Sequence, residues 1–304
     1  MTMDAQISFL DQLFAQGVLH DSGVDGLYAR SGEFEDVIAR FEQFALGYGR
    51  DEISEAMVFP PGMTMQDFET SGYMKNFPQL AGTVHAFCGN DHDHMGLLQC
   101  MAAGEDWSKD QKPTQVALTP AACYPLYPIL ARRGPLSEEG AYVALQSYCF
   151  RHEPSKDPAR MQMFRQREYV RVGSAEQTME FRETWKQRGR DMMTRLQLPH
   201  DVDVANDPFF GRAGRIMASG QREQELKFEM LVPITSEEKP TACMSFNYHM
   251  DNFGKAWDIR QADGSPAHTA CVGFGLERLA LALFRHHGFE TSRWPEGVRA
   301  ALWG

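Results

Sequence analysis

Cysteine is scarce in this chain: six residues in 304, none spaced as C-x-x-C. That is too sparse for a disulfide scaffold. With no secretion signal, reduced thiols in the cytoplasm are the expectation, and each cysteine is by default a small buried hydrophobe. No apolar run approaches the roughly 18 residues that span a bilayer, so no membrane association is expected. The N-terminal MTMDAQISFLDQLF is acidic and lacks a basic segment before a long apolar stretch, so it does not read as a signal peptide. There is no G-x-x-x-x-G-K-[ST], no internal repeat and no low-complexity linker. Basic residues are outnumbered, 30 against 41, for a net charge of −11. Such a chain repels phosphate backbones unless a local basic face overrides the balance, which weighs against RNA binding.

What is present is a chain 43% hydrophobic, enough for one large core or two modest ones. Ile7, Leu10, Phe14 and Val18 fall at helical spacing, as do Phe34, Ile38, Phe41 and Phe44, so residues 5–48 read as two amphipathic helices. Pro60–Pro61 breaks any helix there. Residues 144–153 and 164–172 read as strands of an antiparallel hairpin around a polar loop. Ser174 and Gln177 form a possible capping box, and Phe181, Trp185, Met192 and Leu196 place a long helix over about 175–197. NDPFFGR (206–212) reads as a loop, 226–234 and 241–250 as strands, and Leu276–His287 as an apolar helix. Strands, helices and hairpins without βαβ alternation predict an α+β fold with an antiparallel sheet.

The chemistry concentrates in two places. Phe150-Arg151-His152-Glu153 is followed by a polar loop, then Arg160 and Phe164; much later comes Gly273-x-Gly275-x-x-Arg278, opening the last apolar helix. The second pattern is not the dinucleotide fingerprint, because Arg278 stands where the third glycine belongs and no early βαβ unit precedes it. Gly273 and Gly275 permit a tight turn into a helix whose N-terminus favours anions. With period-two alternation, Arg151 and Glu153 share a strand face. A guanidinium suits a phosphate, a carboxylate or its backbone can read an adenine edge, and Phe164 can stack on the ring. The bland alternative is a surface salt-bridge ladder, a core phenylalanine and a plain strand-to-helix turn. The DHDH run at 91–94 is more simply a solvated turn than a metal cluster, and the 17 methionines are core filler.

In this order and at this separation, the two patterns resemble motifs 2 and 3 of the class II aminoacyl-tRNA synthetases. FPPGMTMQDFETSGYMKNFPQLAG (59–82), CFRHE, FRQREYVRVG (164–173), NDPFFGR and CVGFGLERLALALF (271–284) more narrowly resemble the amino acid–[carrier protein] ligases. These are truncated homologues of methanogen-type seryl-tRNA synthetases. The resemblance covers roughly residues 55–290. It implies one class II synthetase-like catalytic domain over 1–304, an antiparallel sheet flanked by helices, with N-terminal helices at about 5–48 and a helical insertion at about 175–220.

It also implies an activity: a small amino acid, glycine or alanine, is converted with ATP and magnesium to an adenylate and loaded on the phosphopantetheine thiol of a carrier protein by a homodimeric zinc enzyme. Carried over residue by residue, Arg151, Glu153, Arg160 and Arg278 match ATP-binding positions, and Arg151 and Arg278 are the catalytic pair. Met161, Lys227, Ala242, Cys243, Met244 and Ser245 would line the nucleotide. Cys123, Glu168 and Cys271 match zinc ligands, three donors leaving a position for the substrate amine; Glu168 and Asn247 would meet the substrate. Thr241 stands where the family carries a carboxylate, so magnesium needs another ligand, and Glu229 is the candidate. No room is expected for a tRNA-binding arm. Rival readings are a seryl-tRNA synthetase-like enzyme charging tRNA, or a non-catalytic amino-acid-binding paralogue. The stretch RETWKQRGRDMMTR (182–195), basic in an acidic chain, is either a solvated helix face or a dock for an acidic carrier-protein helix.

Overall fold

The computed structural model describes residues 8–304. In chain order the elements are α1 (Phe9–Ala15), β1 (Leu19–Val24), β2 (Leu27–Arg30), α2 (Gly32–Leu46), β3 (Glu55–Phe59), β4 (Gly62–Thr64), α3 (Met65–Thr70) and α4 (Tyr73–Asn76). There follow β5 (Thr83–Phe87), α5 (Asp91–Ala102), β6 (Gln111–Leu118), α6 (Leu126–Arg132), β7 (Ala141–Phe150), β8 (Met163–Gly173) and α7 (Ala175–Arg195). The chain closes with β9 (Asp201–Val204), α8 (Gly211–Glu223), β10 (Lys227–Val232), β11 (Thr241–Tyr248), α9 (Asn252–Trp257), β12 (His268–Gly275), α10 (Leu276–His287) and α11 (Glu296–Trp303).

A seven-stranded sheet runs β3-β7-β8-β12-β11-β10-β9. All its pairings are antiparallel except β3 with β7. Period-two alternation divides it into two faces. On one, Tyr169, Val272, Phe274, Met244 and Phe246 join α2, α7, α10 and α11 in the largest core. On the other, Val143, Leu145, Val170 and Cys271 pack with Leu126, Tyr127 and Leu130 of α6. A smaller three-stranded sheet, β4-β6-β5, carries its own cluster around Phe68, Tyr73 and Phe77.

Helix α7 forms where its pattern predicts. Ser174 and Gln177 close a reciprocal capping box, and Trp185 stacks on Tyr169 with ring centroids 4.6 Å apart. Gly189 lets the helix lie close on the sheet, since a Cβ there would sit 2.8 Å from Phe246 Cζ. On the same face α2 is bound by charge: Arg165 donates to Glu35 at 2.6 and 2.9 Å, and Arg167 to Glu42 at 2.9 and 3.1 Å.

Three sequence expectations are corrected. The helix pair over 5–48 is a short α1, a β1–β2 hairpin and α2; Ile7 lies outside the described residues, and Val18 lies past the helix. Spacing ignored the glycines: Gly17 at φ 65 and Gly26 at φ 81 occupy left-handed positions that end the helix and turn the hairpin. The helical stretch at 175–220 is interrupted by β9, an edge strand of the main sheet. Strand β7 ends at Phe150, so Arg151 and Glu153 lie in the loop rather than on a strand face. The DHDH run is the first turn of α5, capped by Asn90, and is exposed as expected.

Candidate active site

The face opposite α7 carries a cleft. Strands β8, β10, β11 and β12 supply its floor through Gln166, Lys227, Glu229, Ser245 and Gly273; the loop after β7 adds Arg151 and Glu153, and the start of α10 adds Arg278. Phe164, Met161, Ala242, Cys243 and Met244 also border it. The sulfur of Met244, however, faces the Gly189 position on the α7 side.

Two arginines dominate the cleft. Arg151 lies over the Phe164 ring, 5.4 Å from its centroid, and donates to Pro120 O at 3.3 Å. Arg278 Nε donates to Ala159 O at 2.8 Å and Nη1 to Ala242 O at 2.9 Å. Neither forms an ion pair among the described residues. Burial, then the nearby charges of Arg151 and Arg160, pushes the Arg278 pKa down. Arg151 shifts the other way: burial works against its charge, but Tyr73, Cys149, Asp207 and Glu153 raise its pKa. Arg278 is thus the guanidinium held with carbonyls alone for partners, an arrangement that an anion would relieve. At the rim, exposed Arg160 reaches Glu153 at 3.4 Å and Asp157 at 3.9 Å. Lys227 Nζ lies 2.5 Å from Asp207 Oδ1 and 3.1 Å from Glu229 Oε1. Burial works against that ammonium, but the two carboxylates prevail and raise its pKa.

Beside Gly273 the cleft floor meets a second group. A Cβ on Gly273 would stand 3.2 Å from Ser245 Oγ and 3.7 Å from Glu168 Cγ. Cys123, Glu168 and Cys271 are all buried, and their ligand atoms lie within 4.8 Å of one another, so these residues could hold a metal ion. Pairing explains the convergence. Glu168 faces Gly273 across β8 and β12, and Cys271 faces Asn247 across β12 and β11. Cys123 arrives from the segment before α6. Glu168 Oε2 has no hydrogen-bond partner, and burial followed by the Cys271 charge lifts its pKa well above the carboxylate range. Cys271 is the thiol held low, first by the Cys123 hydrogen bond and then by His249 and Asn247. Asn247 Nδ2 lies 3.3 Å from its sulfur and His249 Nε2 3.8 Å. Rings enclose this end: Tyr124 and Phe253 at 5.6 Å, and Tyr127 and Phe253 at 4.6 Å.

Several residues of the site escaped sequence reasoning. Gln166 shares strand parity with Phe164 and Glu168, a signal that was available; its Oε1 accepts from Ala122 N at 3.2 Å and Cys149 Sγ at 3.1 Å. Asp207 sits in the NDPFFGR loop and also accepts from Gln221 Nε2 at 2.9 Å. Glu277 borders the cleft beneath Arg278. Tyr73 is buried with an unpartnered hydroxyl, its pKa pushed up to about 12 by burial.

The basic stretch of α7 does not reach this cleft. Its helix packs on the opposite face, and most of its cations are occupied: Arg182 with Glu183 and Glu225 O, Lys186 with Glu183, Arg188 with Glu52, and Arg195 with Tyr48.

No family model matches the chain. It is 46% identical over 293 residues to amino acid–[acyl-carrier-protein] ligases 1 and 2 of Bradyrhizobium diazoefficiens, covering 96% of this chain and 89% and 87% of theirs. A type-2 serine–tRNA ligase of Methanopyrus kandleri is 29% identical over 196 residues, 60% of this chain and 36% of that one. Among solved structures, the M. kandleri SerRS in complex with A. aeolicus tRNASec superposes with a TM-score of 0.82 at 20% identity. That match covers 99% of this chain, which spans 61% of that synthetase chain. The seryl-tRNA synthetase of Pyrococcus horikoshii complexed with ATP gives 0.68 at 15% identity, with 98% of this chain and 63% of that one covered. The fold is that of the class II seryl-tRNA synthetases.

Proposed function

Because this chain belongs to the amino acid–[acyl-carrier-protein] ligases, we propose that its cleft activates glycine or alanine with ATP and passes the aminoacyl group to a carrier protein's phosphopantetheine thiol. The observation that carries this reading is the pair Arg151 and Arg278. Both are cationic and unpaired by any carboxylate among the described residues, and they face one cleft beside a buried Cys-Glu-Cys group.

In the first step the amino acid carboxylate attacks the α-phosphorus of ATP and pyrophosphate leaves. Arg151 stabilises charge on the α-phosphate and Arg278 charge towards the leaving group; preorganised donors of this kind cost no reorganisation during reaction. Phe164 offers a face for adenine, and Glu153 with its backbone an edge. Lys227 completes the cationic lining, and Met161 and the strand from Ala242 to Ser245 bound the nucleotide. In the second step the pantetheine thiol attacks the carbonyl, giving the thioester, AMP and a proton.

The donor chemistry fits zinc at Cys123, Glu168 and Cys271, with Glu168 Oε2 left unpartnered for it. Cys123, Glu168 and Cys271 would hold it, and it would supply a Lewis acid suited to the neutral α-amine of the substrate. Asn247 holds Cys271 in place, and Glu168 and Asn247 border the amino acid. Glu229 is the cleft carboxylate suited to magnesium, which commonly takes one or two carboxylates together with substrate phosphates. The Tyr124, Tyr127 and Phe253 rings crowd the Cys-Glu-Cys end, in keeping with a small side chain.

The carrier surface we assign is α8. Arg212 and Arg215 stand exposed, as do Ile216, Met217 and the preceding Phe210. Gln221 of the same helix binds Asp207, the partner of Lys227 in the cleft. A basic, apolar face joined to the cleft through that contact suits an acidic carrier helix. We also infer a homodimer: the sheet ends on β3, whose Val58 is exposed, and a second copy would cover that open edge. No helix among the described residues is long and apolar enough to cross a membrane.

The test incubates the protein with ATP and labelled amino acids, once with tRNA and once with a phosphopantetheinylated carrier protein. Label on the carrier alone is expected; label on tRNA alone overturns the assignment.

A further inference from the structure

The loop between β7 and β8, residues 151–162, carries the rim of the nucleotide cleft. Its neck is closed by Arg151 N donating to Gln162 O at 2.9 Å. Inside the cleft it is touched by Arg278 at Ala159 O. From the other side it is gripped by the β1–β2 hairpin. Gln162 N donates to Gly26 O at 2.8 Å, and Gln162 Nε2 to Asp25 O at 2.9 Å. Tyr28 OH reaches Ser155 O at 3.3 Å. Arg30 Nη2 donates to Met163 O at 3.0 Å and lies 3.3 Å from Glu277 Oε1.

That last pair of contacts joins the two halves of the cleft. Glu277 is 2% exposed, immediately precedes Arg278 and also accepts from Arg165 N at 2.7 Å and Arg165 Nε at 2.9 Å. Arg30 therefore ties the end of the loop to the carboxylate beside the phosphate arginine. The grip is close at Gly26 too. Its φ of 81 is left-handed, and a Cβ there would stand 3.1 Å from Gln162 Cγ and 3.2 Å from Arg160 O. The hairpin is itself anchored in the main core through Leu13, Val18 and Leu19.

We propose that the β1–β2 hairpin is a clamp that holds the nucleotide loop in register with Arg278, and that Arg30 is its positioning residue. The proposal rests on the ATP reading of the cleft. A loop left free must be ordered by the nucleotide at each binding event, so loss of the clamp weakens ATP binding and leaves the amino acid end, built on β8, β11 and β12, untouched.

The experiment is amino-acid-dependent pyrophosphate exchange on the full chain, with titration of a non-hydrolysable ATP analogue. Arg30→Met should raise the KM for ATP and the analogue Kd about tenfold, the scale of a lost charged hydrogen bond, and Gly26→Ala, which crowds Gln162, should raise both as well. The amino acid KM should stay at the wild-type value, kcat within about twofold, and Arg30→Lys should recover part of the affinity. An unchanged KM for ATP in both variants overturns the clamp. So does a parallel loss in both substrates with falling kcat, which is the mark of a merely structural hairpin. A wild-type protein that binds no ATP analogue overturns the parent reading along with it, whereas normal wild-type binding with unaltered variants overturns the clamp alone.

Discussion

Arg278 reaches across the cleft to the backbone of Ala159, 2.8 Å away, so a residue in the first turn of α10 also touches the loop between β7 and β8. Carbonyl oxygens are weaker partners for a guanidinium than a phosphate is. The contact marks where an anionic ligand would compete.

Arg278→Ala should therefore lower pyrophosphate exchange about 100-fold or more, as removal of a preorganised donor commonly does. Arg151→Ala should do comparable damage. Initial rates at saturating amino acid check both; wild-type exchange in the two variants would remove the adenylation mechanism.

Metal analysis gives an independent check. One zinc per chain should accompany the purified protein, and Cys123→Ser or Cys271→Ser should lose both metal and exchange. Glu168→Gln should behave alike, because a neutral amide is a poor substitute for a carboxylate ligand. Full zinc occupancy in all three variants would put the metal elsewhere.

Selection by size should be one-sided. A pocket closed by rings excludes large side chains by collision, but one methylene distinguishes glycine from alanine by only about 1–3 kcal/mol. Exchange rates should show these two incompletely separated, with leucine and phenylalanine inert. Efficient leucine activation would contradict the small-substrate reading.

Charge reversal should separate docking from chemistry. Arg212→Glu with Arg215→Glu on α8 should slow thioester formation and flatten its salt dependence, with pyrophosphate exchange near wild type. Arg188→Glu on α7 should instead break a tie to Glu52 and lower the melting temperature, without a specific effect on carrier loading. The reverse pattern would return the dock to α7.

Close packing gives a purely structural forecast. Gly189→Ala places a methyl 2.8 Å from Phe246 Cζ and 3.3 Å from Met230 Cε. Overpacking of this kind costs about 1–3 kcal/mol. Denaturant unfolding should show it; a neutral result would mean that Phe246 can turn aside.

Local pattern alone determined much of this protein. Apolar spacing and the Ser174–Gln177 box specified α7 to within two residues of its end, and Leu276–His287 is helix over its whole expected span. The β7–β8 hairpin was legible because strand alternation and a polar turn are local properties. The likeness of Cys123, Glu168 and Cys271 to a ligand set came from family resemblance; no spacing joins residues so far apart in sequence. Only the tertiary structure brought their side chains within one small volume, through the pairing of β8 with β12 and the arrival of the segment before α6. It also decided which face each charge serves. The cations of 182–195 look like a dock in sequence, yet the folded sheet turns them away from the cleft and gives most of them partners. The hairpin at 19–30 was hidden because short strands around glycines imitate helical spacing. Its grip on the loop between β7 and β8 joins residues more than a hundred positions apart, such as Arg30 and Met163. Sequence periodicity reports which face of an element is apolar; which element that face meets depends on packing across the whole chain.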